Sequence, residues 1–210
     1  MERQGARTAR ARARLDRAEV GGYAAVRDVI TMAQRLLRLE RLGAELAELT
    51  VEMGEYGRQT TLQLEELLSD TPDELWGLVA DYLVVDQTGT GTDASETGAR
   101  ALPTAAQVET GLERLTALSD ADLLAPGPVA RCFGLPAEPE DLDGQVSARG
   151  YRMLAHIPRL RPVQIAALVE RFGSVTALLA AEQADFADVE GVGALWAKHV
   201  RLRLTGLVTG

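Results

Sequence analysis

Val189-Glu190-Gly191-Val192-Gly193-Ala194-Leu195-Trp196-Ala197-Lys198-His199-Val200 is the stretch on which the reading of this chain turns. An apolar residue, then Gly-apolar-Gly, then small and apolar positions at helical spacing, reads as a helix-hairpin-helix. Gly191 and Gly193 permit a tight turn with positive φ and no Cβ between backbone and ligand. A helix starting at Gly193 turns its unpaired N–H groups outward, which suits a phosphate. Ala197 lets two helices approach closely, and Val189, Val192 and Val200 form the buried side. The competing reading is a structural turn or a protein contact.

Outward from there, the last 66 residues repeat the pattern. Ile157-Pro158-Arg159-Leu160-Arg161-Pro162 aligns with Val189 to Ala194, and Ile165 falls where Ala197 stands. Phe172-Gly173 stops a helix between them and Ser174 caps the connecting one. The two hairpins are unequal. Arg159 and Arg161 occupy both glycine positions of the first, so contact there passes to guanidinium groups, which match phosphate oxygens bidentately. The second keeps its glycines but follows them with Ala194, so its charge falls on Lys198, Arg201 and Arg203. Arg149 and Arg152 join the candidate contacts, with a solvated basic face as the alternative for them and for Arg159 and Arg161. DNA bound this way is held by its backbone, with salt sensitivity and without sequence preference. Trp196 reads as packing rather than base stacking. His156 and His199 read as surface or capping residues with no catalytic role.

The chain has 210 residues, a net charge of −9, one cysteine and two histidines, and 4% aromatics. Length allows one large or two small domains. Cys132 excludes an internal disulfide framework, and with His156 and His199 alone no zinc site forms. No cofactor or metal is expected, and no apolar run approaches a membrane span. An intracellular, cytoplasmic setting close to the nucleoid is expected. The charge is unevenly placed. Residues 1–14 carry five Arg against one Glu, residues 15–144 nine basic against 25 acidic groups, and residues 145–210 eight against five. The acidic middle repels a phosphate backbone, so the C-terminal end is the one to face nucleic acid.

The basic start, 1–14, is Arg-rich and acid-poor like a transit peptide but lacks serines and a clear amphipathic face. It is expected to be disordered or to extend a helix. Val26, Ile30, Ala33 and Leu37 mark an amphipathic helix from Asp16 to about Leu42, with a break at Gly43. Helices follow at Arg58–Leu68 and from Pro72 to about Val84. Residues 86–102, rich in Gly, Thr and Asp, read as a flexible loop. Thr104 and Gln107 have capping-box spacing, Ser119 and Asp122 a similar one. Leu135–Gln145 reads as a second linker, placing a domain boundary near 145. No alternation supports a sheet, so the expected fold is all-α.

Several of these stretches carry a family resemblance. Leu15-Asp16-Arg17-Ala18-Glu19 to Tyr23–Val29, Gln34-Arg35-Leu36, Gly57-Arg58-Gln59 with Leu62–Leu68, and Leu118–Leu124 with Phe133-Gly134 resemble the helical spine of the DNA integrity scanning protein DisA. Arg149-Gly150-Tyr151-Arg152, Ile157–Leu160 and Val189–Val200 look like its C-terminal DNA-binding module. The resemblance covers about residues 15–205. It implies a helical linker over 15–144 and a compact (HhH)2 unit, RuvA domain 2-like, over 145–210. It implies branched or damaged DNA, such as a Holliday junction, as partner. In that family the spine joins diadenylate cyclase domains, which make cyclic di-AMP, to DNA-binding domains in an octamer.

The cyclase stretches Asp-Gly-Ala and Arg-His-Arg occur nowhere in the sequence; Asp143-Gly144 is followed by Gln145. The expectation is therefore a non-catalytic DNA-binding chain. Two alternatives stand beside it: a regulatory subunit of a separate diadenylate cyclase, and a fragment of a full-length synthase. Met1 leans towards a natural short protein. A homo-oligomer remains open.

Overall fold

The computed structural model describes residues 2–51, 53–85 and 102–209, and it is all-α apart from one two-residue ladder. The expected loop at 86–102 lies outside these residues except for Leu102. The chain opens with α1 (Glu2–Val20), not with a disordered arm. The reason is a thin stripe on one face: Thr8, Ala11, Leu15 and Glu19 are all buried, at helical spacing. Two members are polar and one is alanine, which hides the stripe from a hydrophobicity reading.

Gly21 and Gly22 end α1, with Gly22 at φ +98° and its N–H donating to the Glu19 carbonyl at 2.9 Å. The single helix expected from Asp16 to Leu42 is thus two. Between them β1 (Ala24–Ala25) pairs antiparallel with β2 (Gln145–Val146), Ala24 opposite Val146. The position taken as a boundary is thereby stitched to residue 25. α2 (Val26–Val51) buries Val26, Val29, Ile30, Ala33, Leu36 and Leu37. It runs through Gly43 without a break. A Cβ there would drive into Leu68 of α3 (Gly54–Leu68), so the glycine serves the crossing of two helices.

α4 (Thr71–Tyr82), with Pro72 in its first turn, is the central element, and nine of its twelve residues are buried. α5 (Ala105–Thr116) has the expected capping box from Thr104 and Gln107, and Ser119 caps α6 (Asp120–Leu124) through the Asp122 N–H. After α7 (Pro126–Cys132), the segment expected as a linker holds a 3₁₀ turn, Pro139–Asp143, before β2. The C-terminal region comprises α8 (Tyr151–Ala155), α9 (Pro162–Phe172), α10 (Val175–Ala180), α11 (Gln183–Ala187) and α12 (Gly193–Thr209). One continuous apolar cluster runs from Ala11 to Leu204 and takes in residues of every helix but α3. No helix among the described residues is long and apolar enough to cross a membrane.

Candidate nucleic-acid interface

The two hairpin turns share one hydrogen bond and one left-handed position. In the first, between α8 and α9, the Leu160 N–H donates to the Ile157 carbonyl at 3.2 Å. In the second, between α11 and α12, the Val192 N–H donates to the Val189 carbonyl at 3.1 Å. All four residues are buried, so each turn is pinned by its own apolar pair. Gly191 has φ +78° and Gly193 φ +66°. Arg159, at the position of Gly191, has φ +66° and is the one non-glycine residue with positive φ among the described residues. The turn shape therefore survives loss of its glycine, at a cost of about 1–3 kcal/mol for a left-handed non-glycine residue. Arg161, at the position of Gly193, relaxes to φ −82° and becomes the residue before α9.

Gln164 joins the two turns. Its side chain is buried, its Oε1 accepts the Arg161 N–H at 3.0 Å, and its Nε2 donates to the Gly191 carbonyl at 2.7 Å. Sequence reading passed over this residue. The signal was present in part, since glutamine three residues after a helix N-cap is a capping-box position.

Around the turns, Gly191, Gly193, Ala194, Lys198, Arg159, Arg161 and Arg203 are exposed, while Val192 is buried beneath them. Arg201 is half-buried, and its guanidinium donates to the Leu179 carbonyl near the end of α10 at 3.1 Å. A cleft of about 510 Å³ lies between the hairpins, walled by Pro158 and Arg159 on one side and Leu195, Trp196, His199 and Arg203 on the other.

Arg149 and Arg152 must be withdrawn from the surface. They are 1% and 2% exposed and face the helical scaffold, not solvent. The Arg149 guanidinium donates to the carbonyls of Ala80, Asp81 and Leu83, closing the C-terminal end of α4. The Arg152 guanidinium meets Glu19 at 2.8 Å, Asp16 at 2.9 Å and Glu74 at 3.3 Å. Gly77 leaves the space for this side chain; a Cβ there would sit 2.8 Å from Arg152 Cγ. The Asp81 carboxylate accepts the N–H groups of Gly150, Tyr151 and Arg152 at 2.7, 2.7 and 3.0 Å, so it caps α8. This knot fixes the first hairpin's leading helix to α1 and α4.

The knot perturbs its own titrations. Burial pushes Glu19 up to about 7 despite Arg152 and the hydrogen bond from the Tyr82 hydroxyl at 2.8 Å. Burial also acts to raise Glu74, but His156, Arg152 and Arg12 together hold it down to about 2. The hydrogen bond to Glu74 raises His156, whose Nε2 lies 2.9 Å from that carboxylate and whose Nδ1 lies 2.7 Å from the Arg152 carbonyl. Two acceptors on one ring favour the imidazolium, which has a proton for each. Among the described residues no cluster of His, Cys, Asp and Glu is arranged to hold a metal ion.

Fold and site define an all-α protein in which a helical scaffold carries paired hairpin turns at its C-terminal end. The model of the DisA bacterial checkpoint controller linker region matches residues 1–142, and the chain belongs to that family. It is 36% identical over 200 residues to the DNA integrity scanning protein DisA of Corynebacterium efficiens and 38% identical over 200 residues to that of Corynebacterium glutamicum strain R. The DisA of Streptomyces griseus is 40% identical over 192 residues. These alignments cover 95%, 95% and 90% of the chain, and so continue into the hairpin region. They cover 52%, 51% and 47% of the relatives, so the chain spans about half the length of the curated relatives it matches.

Proposed function

We propose that this chain binds branched or damaged DNA by its backbone, as the DNA-contacting end of a DisA-like scaffold, and catalyses no reaction itself. One observation carries the reading: two hairpins, tied to each other by Gln164, place Arg159 and Arg203 on a shared cleft and leave Arg161 and Lys198 exposed on the same hairpins. Backbone N–H groups at the start of α12 and guanidinium groups of the first hairpin supply complementary phosphate contacts. About four cations imply a modest affinity whose logarithm falls with log salt at a slope of about −3 to −4. Nucleoid association follows from that binding. Gel-shift titration of a four-way junction and a linear duplex tests it, with the Gly191→Val/Gly193→Val variant as control. Equal junction binding by wild type and a folded variant would sink the hairpin mechanism.

A second reading is docking on a diadenylate cyclase, as a regulatory subunit or as the other half of one longer chain. It is favoured by the exposed Leu49, Met53, Tyr56 and Leu67 on the α2–α3 arm and by Leu195, which is 82% exposed. Co-purification with a cyclase, with no DNA affinity at low salt, would select it. A homo-oligomer through the same arm is the remaining partner.

A further inference from the structure

Phosphate gripping uses only part of the cleft between the hairpins. Arg159 and Arg203 sit on it with no ion-pair partner among the described residues. The remaining wall is of another kind. Trp196 is half-buried, with part of its surface against the apolar cluster and part lining the cleft, and its ring meets that of His199 edge to face at 5.4 Å. Leu195 lies beside it with most of its side chain in solvent. A phosphate gains nothing from indole and leucine walls, whereas a nucleobase does, because every base has a π-face that stacks on an aromatic ring.

We infer that this cleft is a binding site for one unpaired nucleotide, its base held against Trp196 and Leu195 and its flanking phosphates by Arg159 and Arg203. The inference rests on the DNA-binding reading above and gives it a source of structural selectivity. At about 510 Å³ the cleft falls within the roughly 300–1,000 Å³ of small-ligand sites. A base within a duplex is stacked and paired and has to be extruded to enter, while a mismatched, bulged or single-stranded base has little to lose. Selection then follows the DNA's structure without reading its sequence. The left-handed backbone at Arg159 has a role in this arrangement: it keeps the tight turn from which Arg159 lines the same cleft as Arg203.

The test uses the full chain and three oligonucleotides: a matched duplex, the same duplex with one bulged nucleotide, and that duplex with an abasic residue at the bulge. Affinity is read by fluorescence anisotropy of a labelled strand, and stacking by tryptophan emission. The bulged duplex is expected to bind about tenfold tighter than the abasic one and to quench tryptophan emission. Trp196→Leu, which keeps an apolar side chain against the core, is expected to abolish both the preference and the quenching while still binding matched duplex. Arg203→Gln, an exposed change that leaves packing intact, is expected to weaken the bulged complex more than the matched one. Equal affinity for bulged and abasic duplexes, or quenching that persists in Trp196→Leu, would overturn the pocket and leave backbone binding standing. Failure of all three duplexes to bind at low salt would remove both.

Discussion

Replacing Arg152 with methionine separates a surface cation from a buried keystone. The guanidinium is 1% exposed and lies within 3.3 Å of three carboxylates, two of which, on Glu19 and Glu74, are themselves buried. A surface arginine would change stability by no more than about 0.5 kcal/mol. Removing one partner of a buried ionic cluster costs about 3–5 kcal/mol, because the remaining charges lose their compensation. The pH dependence follows in sign. Without Arg152, the folded-state values of Glu19 and Glu74 rise. A carboxyl raised in the folded state costs stability above that raised value, and the cost fades as pH falls towards its unfolded value of 4.5. Glu19 already stands at about 7 with Arg152 present. Urea unfolding at pH 8 and pH 5 is therefore expected to show a deficit of about 3–5 kcal/mol at pH 8, reduced by half or more at pH 5. A loss below about 1 kcal/mol at pH 8, or a deficit that grows as pH falls, would refute the argument.

Four further outcomes are expected. The stability that Glu74 contributes is complete above 4.5 and is lost as pH falls towards 2; that displacement corresponds to about 3 kcal/mol, which Glu74→Gln should remove from the acid limb of a urea series. His156 works on the other side, since its raised value gives stability below its ordinary 6.5 that disappears as pH rises through the folded value, so His156→Gln should flatten the alkaline limb. Arg159→Gly should raise stability by about 1 kcal/mol by freeing the left-handed position, and it should weaken duplex binding by removing a cation; thermal melts and anisotropy check the two halves separately. Gln164→Leu should cost about 1–3 kcal/mol through the unpaired Gly191 carbonyl and lower junction affinity, whereas unchanged stability and affinity would show that the hairpins do not need the tie.

Much of the helical framework could be read directly. The Val26, Ile30, Ala33, Leu37 stripe, the Thr104 and Gln107 box and the Ser119 cap depend on neighbours within one or two turns, and the structure contains each of them. Gly43 was misleading for a physical reason. Glycine's helix propensity argues for a break, but the close approach of Leu68 rewards the absent Cβ. At the start of the chain, the choice between a disordered arm and an extended helix was not legible, because the buried face of that helix is built from Thr8, Ala11 and Glu19 as much as from Leu15.

Residue order alone was enough to locate the paired hairpins, since a turn requiring positive φ and two flanking apolar residues is a local demand, repeated at a fixed spacing. It also determined the separation of basic ends from an acidic middle. Which arginines belong to that basic end depended on packing between distant parts of the chain. Arg149 and Arg159 look equivalent along the chain, yet one is sealed against the end of α4 and the other stands on the rim of a cleft. Arg152 meets Asp16 and Glu19 across more than 130 residues. A charge advertises itself in the sequence, but its partners are chosen by packing, and packing decides whether it meets solvent or a buried carboxylate.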